Sequence, residues 1–561
     1  MQKFRPNNWS DDVPLERNYH LGNKPIFEYL RSHAKAYPNK PAINFYGLEI
    51  SYKELDKLTD RFAGYLISEG IKKGDRVALY MQNCPQYTIC QLGAHKAGGI
   101  VVPCGPMFKS WELEEELSQT DTKVIVCQDE LYPYVKEADI KCKFDHIIVT
   151  GFSDFFPDKP AFPVHETMTR PRIHFPEAVE LISILDNPAQ DCLLPNVSLD
   201  DPCLLQFTSG TTGLPKAAIL THANQLYKTA AMAMAYKCGH EDFMLTAMPT
   251  YHIAGMLFGL TIPIYSGGTA VTMSRFDPVA TALAITELKC SKMYGTVSMY
   301  VPTMKISEER SIDLTSLRIS MATSFGLCLT EDIVQNWRKV TNGGIIVEAA
   351  YGLSETHTGD TFSPLDKPRV GSVGIPHVGT NIKIVDFDDP NIELEPEHVG
   401  EIAIRSPGVF KGYWGRFDST REVLRDGWLY TGDMGKFDQD GYLYFLGRKK
   451  EMIKTSGYAI APEEVEGFLM RHPAVNEAAC IPVPHPVRGE SVKAFIVLKQ
   501  EYSSKVSEQE LIDWAKGKMA AYKCPTVIEF LPEIPKNATG KILRRILKEQ
   551  EIKKGNTQNE V

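Results

Sequence analysis

Thr208-Ser209-Gly210-Thr211-Thr212-Gly213-Leu214-Pro215-Lys216 is the stretch from which the fold of this chain is read. An apolar run, Cys203-Leu204-Leu205-Gln206-Phe207, enters it, and Ala217-Ala218-Ile219-Leu220 leaves it. That pattern predicts strand, polar loop, strand. Two glycines let the backbone take positive φ and approach a ligand closely. The threonines and the serine add hydroxyl donors, and successive loop N–H groups can form an anion-binding concavity. Lys216 ends the loop with a positive charge, so the stretch suits the phosphates of a nucleotide. An ordinary surface hairpin uses the same Gly, Ser and Thr, and the stretch alone leaves both readings open. It is not a Walker A loop, because the four-residue gap and the Lys-Ser/Thr pair at a helix start are absent. Pro215 also keeps a helix from running through Lys216.

With 561 residues the chain is long for one domain and suits two or more compact units. A hydrophobic fraction of 43% and a charged fraction of 23% are those of a soluble globular protein. The net charge of −9 provides no basic field for nucleic acid. Twelve cysteines are scattered without a C-x-x-C pair, which argues against a zinc site and a disulfide framework. Buried, reduced thiols in a cytoplasmic protein are expected. The first twelve residues hold no apolar core of a secretory signal. No uninterrupted apolar stretch reaches membrane-spanning length.

On both sides of the loop the periodicity alternates between strand and helix. Residues 51–69 predict an amphipathic helix, with Leu55, Leu58, Phe62, Leu66 and Ile67 on one face and Gly70 as its cap. Strands at 77–81 and 100–104 flank a helix at 87–96, the β-α-β rhythm of a parallel sheet. Residues 152–200 show little periodicity and read as a long surface connection. Helices at 222–236, 278–289 and 331–340 then alternate with strands at 243–247, 319–321 and 345–348. Strands dominate afterwards, up to a composition break at Gly447-Arg448-Lys449-Lys450-Glu451. The remaining body of roughly 110 residues is small but viable as a domain.

Four further stretches draw notice. Pro249-Thr-Tyr-His252-Ile-Ala-Gly255 places a His in a turn at a strand end, and Tyr351-Gly-Leu-Ser354-Glu355-Thr356 follows a buried strand. Tyr430-Thr-Gly-Asp433 precedes Arg448, and Pro535-Lys-Asn-Ala-Thr-Gly540-Lys541 lies near the C-terminus. Each has a plain alternative. His252 reads equally as a hydrogen-bonded structural histidine, Ser354-Glu355 as a helix start, and Thr431-Gly432-Asp433 as a hairpin turn. Lys541 reads equally as a solvated charge.

In this order and at these separations the stretches resemble the adenylate-forming superfamily of acyl-CoA synthetases, peptide-synthetase adenylation domains and beetle luciferases. The resemblance runs from about Ile50 to Arg545. It includes Ser51-Tyr-Lys-Glu-Leu-Asp, Gly74-Asp-Arg-Val-Ala, Gly400-Glu-Ile-Ala-Ile-Arg405 and Gly412-Tyr-Trp414. It implies an α/β fold: a large N-terminal domain (1–449) of layered α/β subdomains plus a β-barrel-like part. A small mobile α+β C-terminal domain (450–561) would follow a hinge at Lys450.

The implied activity is ATP-dependent ligation of a carboxylic acid to coenzyme A through an acyl-adenylate, releasing AMP and pyrophosphate. By resemblance, Thr208, Ser209, Gly210, Thr211, Thr212, Gly213 and Lys216 would wrap the β- and γ-phosphates of ATP. Tyr351, between Ala350 and Gly352, would stack on adenine. Ser354 would contact the α-phosphate, and Glu355 with Thr208 would hold Mg²⁺ through oxygen ligands. Asp433 and Arg448 would bind the ribose. Lys541 would offset charge between α-phosphate and carboxylate as pyrophosphate leaves. Tyr251, His252, Ala254, Gly255, Val297 and Phe325 would line the acyl site. After adenylation the small domain would turn and present Lys454, Ser456, Gly457 and Tyr458 to the CoA thiol.

One departure stands at Thr323-Ser324-Phe325-Gly326, where the family carries a Gly-Gly-Ala-Pro turn against adenine. Phe325 there would narrow the acyl pocket and favour compact acids. The pocket stretches carry no Lys, Arg or acid, which implies an uncharged tail: medium-chain aliphatic, alicyclic or aromatic. A stand-alone enzyme that loads a carrier protein is the near alternative. A non-catalytic nucleotide-binding paralogue is the alternative of another class. The partners expected are the small molecules carboxylic acid, ATP and CoA, with no nucleic acid and no transmembrane segment, and a homo-oligomer is left open.

Overall fold

The computed structural model describes residues 9, 13–14, 19–187, 193–208, 215–324, 327–455, 458–485, 489–503, 505–537 and 540–558. The chain divides into two compact units. The first comprises Met1–Ala322, Thr330–Asn381 and Ile404–Leu429, and the second Thr323–Leu329, Ile382–Ala403 and Tyr430–Val561. The expected hinge at Lys450 falls within the second.

Two seven-stranded sheets build the first unit. One runs, edge to edge, Val179–Glu180, His146–Thr150, Thr122–Gln128, Arg76–Tyr80, Ile100–Cys104, Pro202–Thr208 and Lys216–Thr221. All its pairs are parallel except the last, where Lys216–Thr221 returns antiparallel beside Pro202–Thr208. The phosphate-type loop is therefore a hairpin at a sheet edge. The other sheet runs Ile345–Glu348, Ile319–Thr323, Lys292–Thr296, Phe243–Thr246, Thr269–Thr272, Pro41–Phe45 and Leu48–Ser51. Its strands Thr269–Thr272 and Lys292–Thr296, like Arg76–Tyr80 and Ile100–Cys104 in the first sheet, are wholly buried, as parallel sheets covered on both faces require.

Local chemistry sets the helices. Ser51 caps Tyr52–Ser68 by accepting from the backbone N–H of Glu54 at 3.2 Å. Leu55, Leu58, Phe62 and Leu66 are buried along one face, and Gly70 takes φ +81° just past its end. Helix His222–Ala235 begins at Thr221, whose hydroxyl accepts from the N–H of Asn224 at 3.2 Å.

Two further sheets have five strands each. The half-barrel-like one has Asn381–Val385, Gly400–Arg405, Trp428–Phe437 and Leu424–Arg425 in order, with Leu443–Arg448 also on Trp428–Phe437. The other has Tyr458–Ile460, Ile453–Thr455, Gly489–Leu498 and Val475–His485, with Val527–Phe530 added to Gly489–Leu498. Helices Pro462–Leu469 and Glu508–Lys516 supply Val465, Leu469, Leu511 and Ala515 to its core. The mixed α/β architecture agrees with the resemblance.

Two readings of the sequence are corrected. Residues 152–200 are not a plain surface connection. They include the edge strand Val179–Glu180 and helix Leu181–Asp186, and they bury Phe162, Met168, Leu181 and Leu185. A strand of two residues is too short to display a period. The Thr431-Gly432-Asp433 segment is not a turn. It lies inside strand Trp428–Phe437, where Gly432 takes φ +70° and gives its N–H to Glu401 at 3.0 Å. Among the described residues every cysteine is a free thiol, most of them buried, with Cys328 exposed. No helix is long and apolar enough to cross a membrane among the described residues.

Burial also fixes protonation. His95 is fully buried, 3.0 Å from the Cys203 carbonyl, with His222 edge-on at 5.0 Å. Loss of solvent pushes the His95 imidazole down to about 4 and that of His357 to about 3. An unfolded histidine titrates near 6.5, so below that pH the unfolded chain binds protons that the folded chain refuses. Stability present above about pH 6.5 is thus lost as the pH falls toward 4. Urea midpoints are expected to drop steadily between pH 7 and pH 4.5. His95→Gln, which keeps an amide donor toward Cys203, is expected to flatten that slope.

Candidate active site

Antiparallel pairing sets Thr208 opposite Lys216 at the loop end of the edge hairpin, with the Thr208 hydroxyl 3.4 Å from the Lys216 carbonyl. Ser209, Gly210, Thr211, Thr212 and Gly213 lie outside the described residues. Segment 411–414 runs along the free side of strand Lys216–Thr221. It is held by Ile219 N to Gly412 O at 2.9 Å, Lys411 N to Ile219 O at 3.0 Å and Trp414 N to Ala217 O at 2.8 Å. That register carries Tyr413 to Lys216, whose ammonium stands 5.4 Å from the ring centroid. Such a contact is attractive through the ring quadrupole. The Tyr413 hydroxyl donates to Glu355 Oε1 at 2.8 Å. Phe410 N also donates to the Glu355 carbonyl at 2.8 Å. One carboxylate oxygen of Glu355 is thereby oriented, and Lys216, Tyr413 and Glu355 form one cluster beside the hairpin.

Glu355 lies on the 3-10 turn Ser354–Thr356, which packs on both hairpin strands. Behind it the chain runs through His357, Thr358 and Gly359 with φ of 58°, 53° and 62°. Three successive left-handed residues cost conformational energy and need strong anchoring. The anchor is Asp360, whose N–H donates to the Tyr351 carbonyl at 2.7 Å. Its carboxylate takes the Thr356 hydroxyl and the Lys228 ammonium, the latter at 2.5 Å. Lys228 also donates to the Gly359 carbonyl at 3.1 Å. Both members of this ion pair are wholly buried. Burial lowers the Lys228 ammonium and raises the Asp360 carboxyl, each opposed by its partner. Tyr351 is 7% exposed, and its own N–H donates to the Thr361 hydroxyl at 2.8 Å. Ala350, Gly352 and Ser354 flank it, all half-buried.

Strand Phe243–Thr246 leads into the predicted acyl stretch. Tyr251 and His252 pack ring to ring at 4.2 Å, and Gln206 donates to the Tyr251 carbonyl at 3.3 Å. Burial lowers the His252 imidazole to about 4, so it is neutral at pH 7. His252 precedes helix Ile253–Met256, which carries Ala254 and Gly255 and continues as a π-helical turn, Leu257–Thr261, and helix Ile262–Ser266. A Cβ on Gly255 would come within 2.0 Å of the Pro249 carbonyl oxygen, and one on Gly259 within 2.5 Å of Thr246 Cγ2. Only glycine permits this approach. Phe258 from the π turn stacks on Tyr294 at 4.2 Å. Val297 is the buried first residue of helix Val297–Arg310.

A second cluster lies in the second unit. Strands Trp428–Phe437 and Leu443–Arg448 pair with Asp433 directly opposite Arg448, and Arg448 Nε meets Asp433 Oδ1 at 2.8 Å. The Asp433 side chain is 2% exposed. Lys541 belongs to the same electrostatic neighbourhood. Lost solvation and then the Arg448 guanidinium hold its ammonium below the ordinary lysine value, against Glu451, Asp433 and Glu463. Lys450 lies on the 3-10 turn Lys449–Glu451 and is lowered first by lost solvation. Lys454 and Tyr458 fall on the paired strands Ile453–Thr455 and Tyr458–Ile460, while Ser456 and Gly457 between them lie outside the described residues. Thr323 ends strand Ile319–Thr323, and the Ser324 hydroxyl accepts from Leu329 N at 3.1 Å. Phe325 is outside the described residues.

Sequence reading quoted Gly412-Tyr-Trp414 without giving Tyr413 a task, and it passed over Lys228 and Asp360. Only the pairing of 411–414 with the hairpin reveals Tyr413. For Lys228 the one available signal was a lysine on the apolar side of helix His222–Ala235. Among the described residues no group of three or more His, Cys, Asp or Glu could by itself hold a metal ion. Removing one partner of a buried ion pair typically costs about 3–5 kcal/mol. Lys228→Met is expected to lower unfolding stability by about that much, and Lys228→Met with Asp360→Asn by clearly less. Urea titration of the two variants measures the difference.

The family model described as AMP-binding enzyme matches residues 30–414, and the one described as AMP-binding enzyme C-terminal domain matches residues 464–541. A long-chain-fatty-acid–CoA ligase of Bacillus subtilis (strain 168) is 36% identical over 559 residues, covering 97% of each chain. A feruloyl-CoA synthase of Amycolatopsis sp is 31% identical, covering 94% of this chain and 98% of the other. Among solved structures, an anthranilate CoA ligase in complex with anthranoyl-AMP is similar with a TM-score of 0.82 and 25% identity, covering 96% of this chain and 98% of that one. The chain therefore belongs to the AMP-binding enzyme family and is an AMP-forming acid–thiol ligase, an acyl-CoA synthetase.

Proposed function

We propose that the chain couples a compact, uncharged carboxylic acid to coenzyme A in two steps, with ATP as the activating substrate. The single observation that carries this reading is the Lys216–Tyr413–Glu355 cluster at the loop end of the hairpin. It offers a cation for phosphate oxygens and an oriented carboxylate within one site. In the first step the 208–216 hairpin holds the β- and γ-phosphates of ATP, and Tyr351 stacks on the adenine. Asp433 and Arg448 take the ribose. A carboxylate oxygen of the acid attacks the α-phosphorus, the bond to the β-phosphate oxygen breaks, and pyrophosphate leaves. Lys541 places positive charge where the transferring group gathers negative charge. In the second step the CoA thiol loses its proton and attacks the acyl carbonyl, and AMP leaves with the bonding pair. Lys454, Ser456, Gly457 and Tyr458 line the thiol's approach, reached by a turn about Lys450.

Mg²⁺ suits the donors present. Glu355 keeps a carboxylate oxygen beyond the one that Tyr413 engages, and Thr208 offers a hydroxyl, both hard oxygen ligands. An ion that shares its shell with phosphates and water needs few protein ligands. Bound there, it would neutralise charge on the β- and γ-phosphates.

The acyl side favours bulk close to the carboxylate. His252 is neutral, and residues 251–256 and 294–299 carry no charged side chain that would pair with a second carboxylate or an amine. The Phe258–Tyr294 stack backs the wall with rings, which suits alicyclic, aromatic or medium-chain acids. A long-chain fatty acid is the second reading, favoured by the name of the 36% identical relative. The reaction chemistry also suits a cytoplasmic enzyme, where ATP and CoA are at hand.

Pyrophosphate release with ATP, Mg²⁺ and CoA across acetate, hexanoate, octanoate, palmitate, benzoate and cyclohexanecarboxylate decides between them. Benzoate, cyclohexanecarboxylate or octanoate is expected to lead. Palmitate in the lead would reject the compact pocket, and silence with every acid would reject the ligase mechanism. Thioester formed only on a carrier protein, never on free CoA, would select the near alternative. Lys541→Ala is expected to slow pyrophosphate release by roughly 10²–10³-fold. Tyr413→Phe removes a hydrogen bond to a carboxylate, of about 1.5–3 kcal/mol, and is expected to slow release at least tenfold and raise the Mg²⁺ concentration giving half-maximal rate.

A further inference from the structure

Arg544 is the first residue of helix Arg544–Gln558, three positions beyond Lys541, and its side chain is 6% exposed. Three carboxylates surround its guanidinium. Nη1 meets Glu451 Oε2 and Glu463 Oε1, both at 2.8 Å. Nη2 donates to both oxygens of Glu466 at 2.8 and 2.7 Å. Glu463 and Glu466 sit one turn apart on helix Pro462–Leu469, and Glu451 sits on a separate turn. Glu451 closes the turn that directly follows Arg448. Glu463 lies against Gly447, where a Cβ would come within 1.9 Å of its Oε2 and where φ is +108°. Glu466 accepts the Cys480 N–H of strand Val475–His485 at 2.6 Å.

A satisfied buried arginine is the simplest account of such a cluster, yet three carboxylates exceed what one cation neutralises. Burial, opposed by Arg544, raises the Glu463 carboxyl above its ordinary value, so the arrangement is electrostatically costly. What it achieves is connection. Lys541 sits on a short hairpin closed by Asn537, whose Oδ1 accepts the Lys541 N–H and whose N–H meets the Lys541 carbonyl, each at 2.9 Å. Ile534, Ile542 and Leu547, packed with Ala479, Ile481 and Phe495, and Lys536, 2.8 Å from Glu477, seat that hairpin on its sheet. Arg544 adds a tie toward the strand that carries Arg448, because Glu463 lies against Gly447, Glu451 follows Arg448 closely, and Arg448 is paired with Asp433.

We propose that Arg544 is a positioning residue for Lys541: its fork, clamped on Glu451, Glu463 and Glu466, fixes the reach of the Lys541 ammonium relative to the Asp433–Arg448 pair for the acid-activating step. The assignment rests on the two-step reading above. Lysine at 544 keeps a charge but has one nitrogen where the fork spans three carboxylates. Only the step that uses Lys541 suffers from its misplacement. Thioester formation from preformed acyl-adenylate does not.

The experiment compares full-length wild type, Arg544→Lys and Glu451→Gln. With benzoate and octanoate as acids, acyl-adenylate formation is followed by pyrophosphate release without CoA. Thioester formation is followed from synthetic benzoyl- and octanoyl-adenylate with CoA. A parallel readout needs no turnover: the pKa of Lys541, from ¹³C NMR of reductively methylated protein with Lys541→Arg to assign the signal. Arg544→Lys is expected to slow adenylate formation by roughly tenfold to a hundredfold, with thioester formation within about twofold and Lys541 moved toward its ordinary value. Glu451→Gln is expected to shift all three in the same direction by less.

Equal loss in both half-reactions, or unchanged adenylate formation with an unmoved Lys541 signal, overturns the proposal. Should Arg544→Lys fail to fold, Glu451→Gln carries the same criteria. Should wild type form no adenylate from either acid and no thioester from either synthetic adenylate, the functional reading fails instead, and the Lys541 signal alone decides the role of Arg544.

Discussion

The buried pair of Lys228 and Asp360 is the interaction on which the first unit's cluster depends. Helix His222–Ala235 follows the edge hairpin directly, so Lys228 is rigidly connected to Lys216. Asp360 closes the loop that begins at Tyr351 and includes Glu355. A 2.5 Å contact between the two ties the strand that ends the hairpin to the turn that carries the carboxylate. Desolvation opposes the charge on both partners, and an apolar substitute of equal volume could pack as well. An apolar pair would lack direction, however. The ammonium also reaches the Gly359 carbonyl, and the carboxylate the Thr356 hydroxyl. Together these hold three left-handed residues that a non-directional core would let relax.

The two clusters divide the chemistry by type. In the first unit, a hairpin, a 3-10 turn and segment 411–414 gather groups suited to polyphosphate and aromatic surfaces. In the second, a strand pair presents an aspartate and an arginine face to face, with a lysine supplied by a separate short hairpin. The first relies on rigid sheet edges. The second relies on charges balanced against one another, as the opposing influences on Lys541 illustrate. Groups balanced in this way respond to small displacements, because each of their interactions is short-ranged in water.

Much of this was legible in the sequence because it is local. The strand–loop–strand reading of 203–220 needed only apolar runs around Gly and Thr. The helix over 51–69 needed only its period and its serine cap. Glu355, Asp433 and Lys541 were found because the order of short motifs resembles a family, and the structure puts Asp433 opposite Arg448, fifteen positions further along. What escaped was non-local. Tyr413 acquires a role only when 411–414 lies beside strand Lys216–Thr221, across nearly two hundred residues. Arg544 looks like one basic residue in a basic tail until three carboxylates from elsewhere surround it. Residues 152–200 misled because two-residue strands and single turns carry no period, and Thr431-Gly432-Asp433 because turn-forming residues also serve where a strand must take a positive φ.

The helix that follows His252 has a consequence for how this scaffold could change its diet. Gly255 and Gly259 press against the segment before them, and the backbone between them is wound into a π turn, a geometry often found at working sites. Neither glycine has space to gain a side chain, so that flank is frozen against drift by point mutation. The ring of Tyr294, on a different strand, faces the same neighbourhood and is free of that prohibition. If the proposed acyl site holds, lineages that moved from small rings to extended tails, or back, would therefore leave their trace at Tyr294 and its neighbours while the glycine pair persisted.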